Sequence, residues 1–141
     1  MELGGAESHI ITLSKALKDE GHMVSIASSF GPAVENIINL GIQFYEFDLT
    51  NEDLYISNAE KVIQIIENEK IDIIHCHPFH SQIIASLIKM VKNIPIVSTI
   101  HGPYIPNNFN KIKHYIDRFI FISEETYFFY KDRNLINNRS V

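Results

Sequence analysis

Met1-Glu2-Leu3-Gly4-Gly5-Ala6-Glu7 opens the chain and leads directly into an amphipathic helix. A glycine pair at a helix N-terminus lets the backbone approach a ligand closely, and it points unbonded N–H groups toward an anion. In α/β proteins such a turn normally follows the first, central strand of a parallel sheet. Since only Met1–Leu3 precede the turn here, we expect a domain that lacks this usual first strand.

Composition predicts one soluble globular domain spanning residues 1–141, with 45% hydrophobic and 21% charged residues. The net charge of -5 argues against nucleic-acid binding, which needs a basic surface. The single Cys76 excludes an internal disulfide and fits a reducing compartment. The chain has no apolar run of the roughly 20 residues that span a bilayer, and its first residues do not resemble a secretory leader. We therefore expect a cytoplasmic protein.

Hydrophobic periodicity alternates along the chain between the helical and the strand pattern. Helices are expected at Ala6–Glu20, Ala33–Leu40, Asn58–Asn68, Phe79–Val91, Lys111–Tyr115 and Glu124–Lys131, and strands at Met23–Ser28, Ile42–Phe47, Ile71–Cys76, Pro95–Ile100 and Arg118–Ile122. This order predicts an α/β fold, namely a Rossmann-like three-layer α/β/α arrangement around a mostly parallel sheet. The strand at Ile71–Cys76 is apolar enough to predict burial on both faces.

The expected lack of the first strand has a structural consequence. A doubly wound sheet places that strand centrally, so the two strands beside it would lose their backbone partners. We expect the gap to be filled by another chain or a swapped element, or else the remaining sheet closes up or is unstable.

Ligands of parallel α/β sheets bind beyond the carboxyl ends of the strands. Those ends are predicted at Ser28-Ser29, His75-Cys76-His77, Thr99-Ile100-His101-Gly102 and Ser123-Glu124. Three of the seven histidines therefore fall on the edge where a ligand is expected.

Four short motifs occur in order along the chain: Gly4-Gly5-Ala6-Glu7, Asp72-Ile73-Ile74-His75-Cys76-His77, Pro95-Ile96-Val97-Ser98-Thr99-Ile100-His101-Gly102 and Phe121-Ile122-Ser123-Glu124. Each motif alone is weak. Together, at these distances, they resemble the N-terminal acceptor domain of family-four glycosyltransferases of the GT-B fold. The resemblance covers nearly the whole chain.

The resemblance implies roles for residues at both ends of the predicted site. Gly4 and Gly5 would lie against the donor diphosphate and the reacting sugar, and Gly102 would leave room beside that sugar. By the same resemblance, His101 would be the catalytic-site histidine that lies near the sugar and the acceptor. A neutral imidazole suits the recognition of sugar hydroxyls, because it offers one donor and one acceptor. The structural alternatives are a glycine N-cap for the first helix and a loop histidine bonded to the backbone.

Three further residues are candidates for binding the acceptor: Glu7, His77 and Ser123. Glu7 could instead stabilise the first turn of its helix through the helix dipole.

The implied reaction transfers a hexose from a nucleotide-diphosphate sugar to a hydroxyl acceptor with retention of configuration. Such acceptors include precursors of cell-envelope polysaccharides and glycolipids, and the family needs neither a cofactor nor an essential metal. Enzymes of this fold carry a C-terminal donor-binding domain that we expect to be absent from this chain, which would be inactive alone. The alternatives are a non-catalytic assembly subunit that completes its site with a partner chain, and a nucleotide-sugar epimerase of similar architecture.

His75, His77 and His80 surround Cys76 in a way that invites a zinc interpretation. The spacing argues against it, because Cys76 points to the opposite face of the strand from His75 and His77, and no second ligand pair completes a tetrahedral set. No metal site is predicted.

Two surface features each have two interpretations, one of which involves a binding partner. The aromatic cluster Tyr127–Tyr130 either packs on the sheet edge or forms an apolar patch that drives self-association. A modest basic patch comprises Lys89, Lys92, Lys111, Lys113 and His114. It is either a solvated face or a peripheral contact with the inner face of a membrane.

Overall fold

The computed structural model describes residues 4–77 and 79–136. Its backbone divides into two compact units, Met1–Leu54 and Tyr55–Val141. The first unit contains, in order, α1 (Gly5–Asp19), β1 (Ser25–Ser28), α2 (Val34–Asn39) and β2 (Gln43–Glu46). The second contains α3 (Tyr55–Glu69), β3 (Ile74–Cys76), α4 (Phe79–Val91), β4 (Ile96–Ile100), α5 (Phe109–Ile112), β5 (Arg118–Phe121) and α6 (Glu124–Lys131). Short 3-10 turns lie at Glu52–Leu54 and Lys113–Tyr115.

In the first unit, β1 and β2 form a parallel pair in which Ser25 lies opposite Gln43. Gly21 and Gly41 follow the two helices with φ of +88° and +65°. Residues with a side chain rarely adopt this left-handed conformation, so both glycines end a helix as predicted. Lys18 of α1 donates hydrogen bonds to the carbonyl oxygens of Leu40 and Gly41, at 2.5 and 2.8 Å. This lysine therefore caps the end of α2 and ties the two helices of the unit together.

The buried apolar side chains of the first unit lie in and around α2 and β2. They are Ala33, Val34, Ile37, Ile42 and Phe47. By contrast, α1 has Ser14 as its buried residue, and its Leu17 is 37% exposed. Helix α2 is thus the better anchored of the two helices, since burial of apolar area is the main source of stabilisation.

In the second unit, three parallel strands form a sheet in the order β3-β4-β5. Ile74 lies opposite Ile96, and Val97 lies opposite Arg118. One face carries the hydrophobic core, which comprises Cys76, Ala85, Ile96, Ile100, Phe109, Ile116, Phe119, Tyr130 and Leu135. Since strand side chains alternate, His75, Thr99 and their neighbours two residues along belong to the opposite face.

Asp117 fixes the start of β4 and β5 in the second unit. Its carboxylate accepts hydrogen bonds from the Ile96 amide at 2.7 Å and from the Lys89 ammonium of α4 at 2.9 Å. The Asp117 amide in turn donates to the Ile96 carbonyl at 2.9 Å. A charged acceptor that binds both a strand and a helix holds α4 in register with the sheet.

The predicted α/β class with parallel pairing is confirmed, whereas some predicted boundaries were wrong. Strand β3 begins at Ile74 and not at Ile71, and Ile73 is 52% exposed instead of buried on both faces. The start of β3 follows from its neighbour, because the Ile74 amide donates to the carbonyl of Pro95, just before β4 begins. Helix α3 begins at Tyr55, three residues before the predicted Asn58, because the 3-10 turn leads directly into it.

The described strands form two sheets, one of two strands and one of three.

Candidate functional site

The carboxyl ends of the three strands in the second unit carry the predicted site residues. His77 follows β3 directly, His101 follows β4 directly, and Ser123 lies two residues beyond β5. The Ile122 amide donates to the Ile100 carbonyl at 3.4 Å, which extends the pairing of β4 and β5 to their carboxyl ends. The sheet therefore brings His77 and His101 to one edge, as the sequence predicts.

His77 and His101 are hydrogen-bonded to each other. The distance from Nδ1 of His77 to Nε2 of His101 is 3.1 Å, and the ring centroids are 5.4 Å apart. Both residues are partly buried. Because an imidazole can donate from one nitrogen and accept at the other, one ring donates and the other accepts.

His75 completes a cluster of three histidines. Its ring stacks on that of His77, with centroids 4.3 Å apart and planes inclined by 30°. Its Nε2 lies 2.8 Å from the hydroxyl oxygen of Thr99, a fully buried residue of β4. Thr99 was not among the predicted site residues, although its spacing of two from His101 places both on one face of the strand.

The loop after His101 is held by the core. The Tyr104 amide donates to the Gly102 carbonyl at 2.9 Å, and the hydroxyl of Tyr130 donates to the Tyr104 carbonyl. Tyr130 is 1% exposed, and burial, with a smaller contribution from Tyr104, raises its pKa to about 12. A Cβ added at Gly102 would meet no atom within 4 Å. The loop is thus fixed from α6, while open space remains beside Gly102.

Part of the aromatic cluster Tyr127–Tyr130 packs inward. The Tyr130 ring lies 5.2 Å from that of Phe109 and 5.4 Å from that of Phe121. Phe128 is 47% exposed, with the Lys131 ammonium 5.6 Å from its ring centroid. The interpretation as packing against the sheet is therefore confirmed for Tyr130. Phe129 also packs against the core, and the exposed aromatic side chain of the cluster is that of Phe128.

Ser123 is the N-cap of α6. Its hydroxyl oxygen accepts a hydrogen bond from the Thr126 amide at 3.2 Å and lies 3.0 Å from the Thr126 hydroxyl. Serine is favoured at this position because it satisfies a helix amide that lacks an intrahelical partner. Ser123 thus has a structural role beside the one that the family resemblance implies.

Gly4, Gly5 and Glu7 belong to the first unit. Gly4 is the N-cap of α1 in an extended conformation, and its carbonyl accepts from the Ser8 amide at 3.0 Å. A Cβ built on Gly4 would lie 2.9 Å from a carboxylate oxygen of Glu7, whereas a Cβ on Gly5 would meet no atom within 4 Å. The Glu7 carboxylate therefore lies over the first turn of α1, where negative charge is favourable.

The four residues considered for zinc have separate partners. His75 bonds Thr99, His77 bonds His101, and the Nδ1 of His80 lies 2.6 Å from the hydroxyl of Tyr55. Cys76 is buried on the core face, and burial raises the pKa of its thiol to about 12. Across residues 4–77 and 79–136, no three His, Cys, Asp or Glu side chains are placed to hold a metal ion.

Parallel strands connected by helices, with polar residues at the strand ends, define a Rossmann-like α/β protein. The chain belongs to Glycosyltransferase Family 4, whose family model matches residues 3–139. This membership confirms the resemblance to GT-B glycosyltransferases on which the sequence interpretation depends.

Solved structures agree with the family assignment. A glycosyltransferase from Rickettsia africae ESF-5 aligns with 100% of this chain and 40% of its own length, at a TM-score of 0.86 and 25% identity. MurG from Acinetobacter baumannii aligns with 87% of this chain and 39% of its own length, at a TM-score of 0.70 and 12% identity. The NAD(P)-binding domain of an exopolyphosphatase-related protein from Archaeoglobus fulgidus aligns with 94% of this chain and 95% of its own length, at a TM-score of 0.61 and 12% identity. The last two likenesses show the fold alone.

No curated protein sequence matches the chain significantly. The chain spans about 40% of the length of the two solved glycosyltransferases that it matches. In the part of the chain that the structure describes, every helix is too short or too polar to cross a membrane.

Proposed function

We propose that this chain is the N-terminal, acceptor-side domain of a retaining glycosyltransferase. The whole enzyme would move a hexose from a nucleotide-diphosphate sugar to a hydroxyl acceptor, either a polysaccharide precursor or a glycolipid. Membership of Glycosyltransferase Family 4 supports the reaction class. The proposal requires no metal or other cofactor, since the donor phosphate can itself take the acceptor proton. It places the reaction in the cytoplasm, at or near the inner face of the membrane.

The observation that carries this proposal is the histidine pair at the carboxyl edge of the parallel sheet. His101 lies within hydrogen-bonding distance of His77, and Gly102 beside it has open space where a side chain would stand. We assign His101 to the transferred sugar and Gly102 to the room that this sugar occupies. His77 and Ser123 would border the acceptor.

Gly4 and Gly5 would face the donor diphosphate through the backbone amides of the first turn. The Glu7 carboxylate that lies over this turn competes with a phosphate for the same positive end of the helix. Diphosphate binding would therefore move Glu7 away from Gly4, toward a hydroxyl of the acceptor.

A C-terminal donor-binding domain, or a partner chain in its place, would supply the groups that grip the nucleotide. With only one side of the donor site, the chain alone would bind a nucleotide sugar weakly and would not turn it over. This weak binding is a measurable expectation, because the glycine turn and the histidine edge would each still offer contacts to a ligand.

The test is a titration of UDP, GDP and their common sugar conjugates into the chain, followed by amide NMR. We expect selective shifts at Gly4, Gly5 and His101, with millimolar or weaker affinity. If every nucleotide sugar leaves the amide spectrum unchanged, the donor-site proposal is wrong, and a non-catalytic assembly subunit becomes the better interpretation.

Two glycine variants make the titration specific. Gly5→Ala and Gly102→Ala add a methyl group where no atom lies within 4 Å, so neither should disturb the unliganded chain. Each should weaken binding several-fold if a ligand approaches the backbone there. Ser8→Ala, an exposed change one turn along α1, is the matched control for Gly5→Ala and should bind as the unmodified chain does.

A further inference from the structure

We infer that Tyr104 is a specificity-determining residue, whose exposed ring receives the apolar face of a sugar ring at the sheet edge that carries His101. The inference rests on the proposed function, which brings a hexose and a hydroxyl acceptor to this edge. It adds an apolar contact beside the histidines and Gly102, so that ligands are selected by the shape of a sugar ring as well as by its hydroxyl groups.

The Tyr104 side chain is 70% exposed, although the backbone that carries it is firmly held. Its amide donates to the Gly102 carbonyl at 2.9 Å, and its carbonyl accepts from the hydroxyl of the buried Tyr130. The next residue, Ile105, packs against the core, and Pro106 after it is buried. The backbone at and after Tyr104 is thus anchored while its ring extends into solvent.

The bond between Tyr104 and Gly102 closes a three-residue turn around Pro103. An inverse turn of this kind needs a central φ of about −75°, close to the value that a proline ring imposes. The turn keeps Tyr104 beside Gly102, where an added Cβ would meet no atom within 4 Å. Because a tyrosine side chain on a fixed backbone has few rotatable bonds, it loses little conformational entropy when a ligand covers it.

The loop that displays Tyr104 carries neutral polar groups instead of charges. Residues 102–110 comprise glycine, proline, tyrosine, isoleucine, asparagine and phenylalanine, with no acidic or basic side chain among them. Asn107 and Asn108 are exposed, and Asn108 precedes α5 without a side-chain capping bond. A phosphate is bound by cations or by aligned backbone amides, whereas an uncharged polyhydroxyl ligand needs neutral donors and acceptors beside an apolar surface. The composition of this loop therefore fits a sugar better than a diphosphate.

A tyrosine ring and a sugar ring have complementary charge distributions. The face of the aromatic ring carries partial negative charge, and the C–H groups on the less polar face of a pyranose carry partial positive charge. The two rings can therefore stack, while the sugar hydroxyl groups remain available to His101 and to the asparagine amides. Tyr104 would thus orient a sugar ring beside His101, and the same chemistry serves the transferred hexose and a sugar of the acceptor.

The test follows the ¹H–¹³C resonances of the Tyr104 ring during titration of the chain. The ligands are UDP, GDP, their common sugar conjugates, and the methyl glycosides of glucose, galactose, mannose and N-acetylglucosamine. We expect the ring resonances to shift with at least one sugar-bearing ligand and to stay unchanged with UDP or GDP alone. A shift caused only by nucleotide sugars assigns the contact to the transferred hexose, and a shift caused by methyl glycosides assigns it to the acceptor.

Substitutions at Tyr104 separate the ring from its hydroxyl. Tyr104→Ala removes the ring from an exposed position and should weaken sugar binding about fivefold, the effect of one aromatic contact. Tyr104→Phe keeps the ring face and should bind as the unmodified chain does. Phe128→Ala removes another exposed ring from the same unit, so it is the matched control and should leave the affinity unchanged.

Three results would overturn the inference. One is a Tyr104 ring whose resonances no sugar-bearing ligand shifts, a measurement that needs no variant. Another is an equal shift with UDP or GDP alone, which would indicate stacking on the nucleobase. The third is a Tyr104→Ala chain that binds sugars as tightly as the unmodified chain.

Failure of the inference is distinguishable from failure of the proposed function, which is read from the amides of Gly4, Gly5 and His101. If nucleotide sugars shift those amides but no sugar shifts the Tyr104 ring, the inference is wrong and the proposed function stands. If methyl glycosides shift the ring but every nucleotide sugar leaves those amides unchanged, the donor-site proposal is wrong and the sugar contact of Tyr104 stands.

Discussion

Replacing Tyr130 with phenylalanine removes a single hydroxyl that joins the core to the loop after His101. The Tyr130 ring is buried against Phe109 and Phe121, and its hydroxyl donates to the Tyr104 carbonyl. The variant keeps the ring and its aromatic contacts and loses only this hydrogen bond. Its effect therefore isolates the contact through which α6 holds the loop.

The expected loss follows from the environment of that bond. A hydrogen bond between neutral groups contributes about 0.5–1.5 kcal/mol to the free energy of unfolding. The Tyr104 carbonyl belongs to an exposed residue, so water can satisfy it after the substitution, and we expect a cost of about 1 kcal/mol. For a chain of this length, that loss corresponds to a decrease in Tm of about 4 °C.

The assay is urea and thermal unfolding followed by circular dichroism, since the chain contains no tryptophan. Tyr104→Phe is the matched control: it removes the same group from a side chain that is 70% exposed and should cost less than about 0.5 kcal/mol. If Tyr130→Phe proves as neutral as this control, the hydroxyl does not hold the loop. A loss above about 3 kcal/mol would equally refute the reasoning, because it would mean that the core repacks.

Alkaline pH gives a second test of the same residue. The pKa of Tyr130 is raised from 10.0 to about 12 in the folded chain, so above pH 10 the unfolded chain releases a proton that the folded chain retains. The stabilising contribution is therefore complete below pH 10 and is lost as the pH rises toward 12. Tyr130→Phe should lose less of its stability across this interval, and an identical decline in both proteins would contradict the assignment.

Three further outcomes are expected. Burial raises the pKa of the Cys76 thiol from 9.0 to about 12, so the free energy of unfolding should fall as the pH increases from 9 to 12. Cys76→Ala should reduce that fall. Rapid chemical labelling of the thiol in the native chain would contradict its burial. Asp117→Ala removes the acceptor for the Ile96 amide and the Lys89 ammonium, so it should lower the free energy of unfolding in urea by about 2 kcal/mol. Asp117→Asn retains an oxygen that can accept from the Ile96 amide and should cost less. Ser123→Ala should cost about 1 kcal/mol in the same assay and Ser123→Asp, which keeps the cap, should cost little; equal losses would exclude the capping role.

The helices and strands were predictable because their signals are local. Helix α4 was predicted at Phe79–Val91 and α6 at Glu124–Lys131, and the structure has these bounds. Strand β3 was predicted three residues too long, because its start depends on pairing with β4 across the sheet and not on its own apolar residues. A strand boundary is set by the partner's backbone groups, which a single stretch of sequence does not contain.

The candidate site was predictable to the extent that parallel strands share a carboxyl edge. Spacing placed His77 and His101 at the ends of neighbouring strands, and they lie 3.1 Å apart. It did not reveal that Thr99 anchors His75, or that Tyr130 reaches the loop beyond Gly102. Both contacts join residues more than twenty positions apart, and they depend on ring orientations that only packing fixes.

The sequence by itself determined the alternation of helices and strands, the parallel pairing and the edge on which the histidines lie. These properties follow from periodicity, from glycine placement and from the handedness of crossover connections, which are local or topological rules. The tertiary structure decided which nitrogen meets which partner and where β3 begins. Those details depend on placing segments that are distant in the chain to within a few tenths of an ångström, and close packing alone achieves this.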